Sequence, residues 1–304
     1  MNKPVRGALA IGALAVATSL VWLFHGSEAR KQPIDCKPLV QLLQTAQQPQ
    51  AAIVHVEQAA TQGDGCNYAE VAGRAALDAD LHQAAEQLLD KAPRKCPRAP
   101  ILDGQRAEAL ARAAHGDRAE PLALAALKLD PQNPYAELAL ARISYDKNQM
   151  ASCSDYADKA LMLGRGGEAE RLLGRSALAR GQYKEAEAHF QKLLTANPKD
   201  PEAAFSAAIC NDKLGHYMLA REGFLQTLHI NPKHQMARSY LVVLTHNAGF
   251  NDEARHHLAK LGEVIPEDSP VYQQLAQLVD GNPGADAGAP DAGAPKPGTV
   301  QGKR

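Results

Sequence analysis

The chain has 304 residues, 22% of them charged and 5% aromatic, with a formal net charge of −1. That length allows one sizeable helical domain with accessory segments at its ends. The near-neutral balance, without a clustered Lys/Arg stripe, argues against a nucleic-acid protein, which needs a basic excess to neutralise phosphates.

Residues 1–30 read as a signal anchor or signal peptide. Lys3 and Arg6 precede Gly7–Phe24, eighteen residues without a charge, and the polar run His25–Arg30 follows. At about 1.5 Å per residue such a helix spans roughly 27 Å, near the hydrocarbon thickness of a bilayer. The expectation is an uncleaved transmembrane helix in a bacterial inner membrane. It is single-pass, with the rest of the chain on the periplasmic side because Lys3 and Arg6 stay inside. The alternative is a secreted or periplasmic chain released at the small-x-small site Ser27-Glu28-Ala29.

Residues 31–64 are expected to form an N-terminal helical segment or a degenerate repeat. From 65 onward the chain falls into blocks of about 34 residues, a period that marks a solenoid of helical hairpins. The blocks 167–200, 201–234 and 235–268 align without gaps, and four columns agree. The fifteenth position holds Gly181, Gly215 and Gly249, where glycine takes a left-handed helix-ending backbone cheaply. The twentieth holds Ala186, Ala220 and Ala254, small enough for two helices to approach closely. The twenty-fourth holds Phe190, Phe224 and Leu258, which fill the space between hairpins. The thirty-second holds Pro198, Pro232 and Pro266, which stop one unit and reset the chain.

Three earlier blocks are degenerate. Block 65–98 keeps Ala84 and Leu88. Block 100–133 has Gly116 two places late and Pro121 interrupting the start of its second helix, and block 134–166 has Cys153 at the small-residue position and no closing proline. After the last block, 269–280 carries Val271, Leu275, Leu278 and Val279 at helical spacing and reads as a capping helix. Residues 281–304, GNPGADAGAPDAGAPKPGTVQGKR, lack large apolar side chains and are expected to be disordered.

On these columns, and on GQYKEAEAHFQKLLTANP and GHYMLAREGFLQTLHINP above all, the chain resembles the tetratricopeptide repeat (TPR) family. The resemblance implies an all-α fold, a right-handed superhelical α-solenoid of helix-turn-helix repeats. It also implies a protein-binding adaptor, since first helices in that family line a concave groove that holds a partner. Mapped onto this sequence, the groove residues are Arg142, Tyr145, Arg171, Arg175, Phe205, Ile209, Asp212 and His246. Arginine forks suit carboxylates and aromatics supply anchoring, so an acidic or C-terminal client segment is expected. The same arginines are equally able to bridge Glu137, Glu168 and Glu170 on the groove wall.

In an antiparallel hairpin Cys66, at the start of a first helix, neighbours Cys96, just past the end of a second. A Cys66–Cys96 disulfide would close a loop of about 31 residues and contribute roughly 3–4 kcal/mol, with Cys36–Cys66 as the competitor. Cys153 and Cys210 stand where small buried residues are usual and read as inert core thiols. No CxxC, GxSxG, GxxxxGK[ST] or HExxH occurs and the eleven histidines scatter, so neither a metal site, a cofactor nor catalysis is expected. The expected function is a non-catalytic adaptor or assembly scaffold in the cell envelope. The alternative is a self-associating structural protein, a homo-oligomer.

Overall fold

The computed structural model describes residues 65–92 and 99–281. The expected membrane helix, Cys36, Cys96 and the Gly/Ala/Pro-rich end lie outside them. Among the described residues there are thirteen helices and no strand. They are α1 (Gly65–Asp78), α2 (His82–Asp90), α3 (Ala99–Arg112), α4 (Gly116–Leu129), α5 (Pro134–Asp146), α6 (Met150–Met162), α7 (Gly166–Ala179), α8 (Tyr183–Ala196), α9 (Pro201–Lys213), α10 (Tyr217–Ile230), α11 (Gln235–Asn247), α12 (Asn251–Gly262) and α13 (Pro270–Asp280). Consecutive helices pair from α1/α2 to α11/α12, each hairpin packs on the next, and α13 lies against α11 and α12 with Leu275 and Val279 buried. None of these helices is long and apolar enough to cross a membrane.

One turn geometry closes all six hairpins. A residue with positive φ stands at Asp80, Ala114, Asn148, Gly181, Gly215 and Gly249, and the next amide reaches back five residues, as in His115 N to Leu110 O at 2.9 Å and His216 N to Asn211 O at 2.8 Å. That bond satisfies a carbonyl left over at the helix end. The glycine column is therefore obeyed in backbone even where no glycine stands. Gly116 does not terminate α3; exposed Ala114 does, at φ 61°. Since Ala in this conformation costs about 1–2 kcal/mol and glycine only its extra chain entropy, Ala114→Gly should raise stability by about 0.5–1 kcal/mol in urea unfolding. Pro121 does not interrupt α4 either. The helix begins at Gly116 and runs through it, because the one missing N–H leaves only the exposed carbonyl of Asp117, in the first turn, unpaired.

Side-chain columns explain the packing. Ala186, Ala220 and Ala254 are fully buried, as are Ala85, Ala119 and Cys153 at the matching places. The matching residues of the first hairpin are thus Ala85 and Leu89, one place later than Ala84 and Leu88, although all four are buried. Phe190 and Phe224 are 1% and 0% exposed. Opposite Phe190 stands Gly174, where an added Cβ would meet the ring at 2.9 Å. In the middle hairpins the large side chain is replaced by Ala123 and Ala157, and Ala107 and Ala141 occupy the facing position. The degenerate blocks keep the fold by trading a large–small contact for a small–small one.

Between hairpins the chain turns through a short capped link. Asp130, Asn197 and Asn231 accept from the amide two residues on, each at 3.1 Å. Asn133, Asp200 and His234 then cap α5, α9 and α11 by accepting from Ala136 N, Ala203 N and Ala237 N. The asparagine and aspartate are common N-caps, and the bound proline fits the link that follows the previous helix. The α6–α7 link departs from this. It has no proline, Gly164 takes φ 89°, and Arg165 N bonds Ala160 O at 2.9 Å, so it is built like the turns inside hairpins. Arg165 stands at the N-cap of α7, where α5, α9 and α11 carry a capping side chain.

Candidate partner-binding groove

The first helices α1, α3, α5, α7, α9 and α11 share one face, and along it runs a groove of about 1610 Å³. Its lining holds eight Arg/Lys (Arg74, Arg112, Arg142, Arg165, Arg171, Arg175, Arg180, Lys213) against five Asp/Glu (Asp78, Asp80, Glu168, Asp200, Glu202). The groove is therefore cationic in a chain whose net charge is −1.

Most of those charges are engaged. At the N-terminal end Glu108 is 2% exposed and is held by Arg112 Nη2 at 2.5 Å and Arg165 Nη2 at 3.0 Å. Arg165 also reaches Asp78 at 2.9 Å, with its guanidinium 4.8 Å from the centre of the Tyr135 ring. It thus ties the start of α7 to α1, α3 and α5. In the centre, Arg142 and Arg171 both bond Glu168, the latter at 3.4 Å, and Arg171 bonds Asp200 at 2.7 Å. Asp200 is at once the cap of α9 and the partner of Arg171.

Burial alone would raise the Glu168 carboxyl, but Arg142, Arg112 and Arg171 together hold it below its ordinary value. Burial likewise opposes ionisation of Asp200, and the Arg171 hydrogen bond and the Ala203 amide outweigh it, so its pKa is lowered. A carboxylate depressed in the folded state contributes stability above its unfolded pKa of about 4 and loses it as pH falls through the folded value. Asparagine retains the capping oxygen but puts an amide NH2 in place of the oxygen that accepts from Arg171, so both the charge and that hydrogen bond are lost. Asp200→Asn should therefore cost about 1–2 kcal/mol at pH 7, the scale of a charge-assisted hydrogen bond. It should also shallow the loss of stability below pH 4, read from urea unfolding across a pH series; an unchanged acid limb would refute the ion pair.

Arg175 differs from its neighbours. Its guanidinium lies 5.2 Å from the centre of the Tyr145 ring, and among the described residues no carboxylate is within ion-pair distance of it. Of the expected groove residues, Arg142, Tyr145, Arg171, Arg175, Phe205 and Ile209 do line this groove. Arg142 and Arg171 are committed to Glu168 and Asp200, whereas Glu170 binds His189 and Lys192 on α8 instead. Tyr145 and Phe205 form the floor rather than projecting anchors, at 8% and 6% exposed. Phe205 belongs to a ring cluster with Phe224, His234 and Tyr240, at 5.8, 4.8 and 5.5 Å between centres. Asp212 lines a second cavity beside α13, and His246 lines neither.

The Arg165–Glu108–Asp78 cluster was not expected from sequence, and the signal for it was Arg165 itself, a basic residue at the start of α7 beside a glycine in the capping column. Cys66 is disulfide-bonded, to a residue outside the described ones. Cys153 and Cys210 are free and buried, and burial pushes their thiols up to about 11 and about 12, which keeps them unreactive at neutral pH. Among the described residues no group of His, Cys, Asp and Glu could hold a metal ion.

Residues 171–234 match a family model described as tetratricopeptide repeat. Over 100 residues the chain is 31% identical to photosystem I assembly protein Ycf3 of Synechococcus elongatus, covering 30% of this chain and 58% of that one. The chain spans 26% to 58% of the length of the curated relatives it matches. Its fold is similar to that in a crystal structure of the APC/C hetero-tetramer Cut9-Hcn1, with a TM-score of 0.64, 15% identity and coverage of 88% of this chain and 52% of that one. It is also similar to Pseudomonas aeruginosa pilF, with a TM-score of 0.56, 19% identity and coverage of 69% and 97%. Residues 171–234 are thus similar to tetratricopeptide repeats, and the likenesses to solved structures show an all-α repeat solenoid.

Proposed function

We propose that the protein is a non-catalytic adaptor or assembly scaffold that holds a segment of a client protein in the groove of its first helices. The observation that carries this reading is the groove itself. It runs along six helices, is net cationic, and presents Arg175 stacked on Tyr145 without a carboxylate partner among the described residues. An acidic segment would supply that partner. The engaged arginines, by contrast, hold the groove's shape. The named role of the Ycf3 relative, photosystem assembly, is in keeping with an assembly scaffold.

The location belongs to the same proposal. The apolar run 7–24 behind Lys3 and Arg6 supports a membrane anchor with the repeats on the periplasmic side of a bacterial inner membrane.

Co-purification tests the reading. Tagged full chain should recover a partner from its host that an Arg175→Glu, Ile209→Asp variant, shown to be folded by circular dichroism, fails to recover. Equal recovery by both proteins would contradict the groove as the binding surface. Recovery of the chain alone, sedimenting as an oligomer, would favour self-association.

A further inference from the structure

At its C-terminal end the cationic groove opens into a second cavity of about 480 Å³, and Lys213, Met236 and Tyr240 line both. The second cavity has a different chemistry. Met236, Val243 and Leu244 of α11 face Ile265 and Pro266 of the α12–α13 turn and Val271 of α13. Two of these apolar side chains are half uncovered, Met236 at 50% and Val271 at 51% exposed. Isolated exposed apolar residues are ordinary, but here they converge on a concave site of the size that holds a ligand's apolar group. Tyr240 stands at the junction of the two cavities, and its buried hydroxyl has no hydrogen-bond partner among the described residues.

Resting on the groove's reading as a client site, the geometry points to a two-part ligand: a protein segment with carboxylates on the Arg175 stretch and a bulky apolar residue seated beside α13. Charge complementarity and the continuity of the two cavities support this occupant. The eight-to-five excess of cations lies in the groove, while the charged residues of the second cavity are Asp212 and Lys213 alone. The capping helix α13 then has a second use, as one wall of the apolar subsite.

The test is selection from a random dodecapeptide phage library on the full chain in lipid nanodiscs, with empty nanodiscs subtracted. Binding of the selected peptides is then measured by fluorescence anisotropy. Peptides that pair Asp/Glu with Leu, Met, Phe or Trp a few residues away should be enriched. Replacing that apolar residue by Ala should weaken binding about ten-fold or more, as should a Met236→Asp, Val271→Asp variant, since a few buried methylenes account for such a factor. Both substituted positions are half exposed, so folding is retained, and Met236→Leu should bind as the unchanged protein does. Acidic peptides with no apolar requirement, bound equally by the double variant, would overturn the apolar subsite while leaving the groove reading intact. Failure to enrich any peptide would overturn both. A dimer that the double variant dissociates would assign the subsite to a second copy of the chain and overturn the client.

Discussion

Replacing Phe224 by Ala is expected to lower stability by about 3–5 kcal/mol, the range for emptying a large aromatic site in a packed core. Phe224 is fully buried in α10, with ring centres 5.8 Å from Phe205 and 5.3 Å from Tyr240. Those two rings come from α9 and α11, so one side chain joins a hairpin to the next and supports the floor of the groove. Collapse cannot refill the site, because Ala208 and Ala220 around it are already small. In a solenoid each hairpin contacts only its neighbours, and the damage should be local. Amide exchange should quicken in α9–α11 far more than in α3–α5. A loss below about 1 kcal/mol in urea unfolding, or exchange that rises uniformly, would show that the rings do not join the hairpins as described.

Glu108→Ala is expected to cost about 3 kcal/mol, the lower end for breaking a buried ion pair, because two guanidiniums lose the carboxylate between them. Arg112 and Arg165 side chains are 10% and 12% exposed. The carboxylates that remain to them are Asp80 at 3.3 Å and Asp78 at 2.9 Å, both more than half exposed; Arg112 also keeps the Leu77 carbonyl at 3.0 Å and Arg165 the Tyr135 ring. A second substitution makes the test specific. With Arg165→Ala already in place one cation fewer is stranded, so Glu108→Ala should cost less than in the unchanged protein. Additive costs would contradict the cluster.

Much of the fold was legible because its rules live in single residue types. Gly181, Gly215 and Gly249 mark turns, Ala186 and Ala220 mark close approach, and Phe190 and Phe224 mark the joints. Legibility failed where a different residue does the same job. Ala114 and Asn148 adopt the left-handed turn without glycine, and Ala123 facing Ala107 replaces a large–small contact, so those blocks look degenerate while their backbone follows the rest. Pro121 misled for a related reason: it sits early in α4, and its missing amide would have paired only with the carbonyl of exposed Asp117 in the first turn.

The groove was legible in outline and less so in detail. Counting positions along first helices finds Arg142, Arg171 and Arg175, but not which of them a carboxylate already holds. That depends on Glu168, three residues before Arg171, and on Asp200, twenty-nine residues after it, meeting the same guanidinium. Arg165 shows how the missing part could have been sought. Block 134–166 is one residue short and ends Arg165-Gly166, where other blocks end in the capping residues Asn133, Asp200 and His234; neither side chain can accept an amide proton, so the arginine serves elsewhere. The α13 subsite had no sequence signal, since Ile265, Val271 and Met236 meet only once the last helix folds back.

The most direct test of the groove is photocrosslinking in the native host from position 236, with position 219 as the control. Met236 is 50% exposed and lines the groove; Leu219 on α10 is 53% exposed and lines neither cavity. Phe205 is unsuitable for the probe because its ring is part of the core. One dominant protein adduct is expected from position 236 that position 219 does not form. The same adduct from both positions, or from 219 alone, would contradict it.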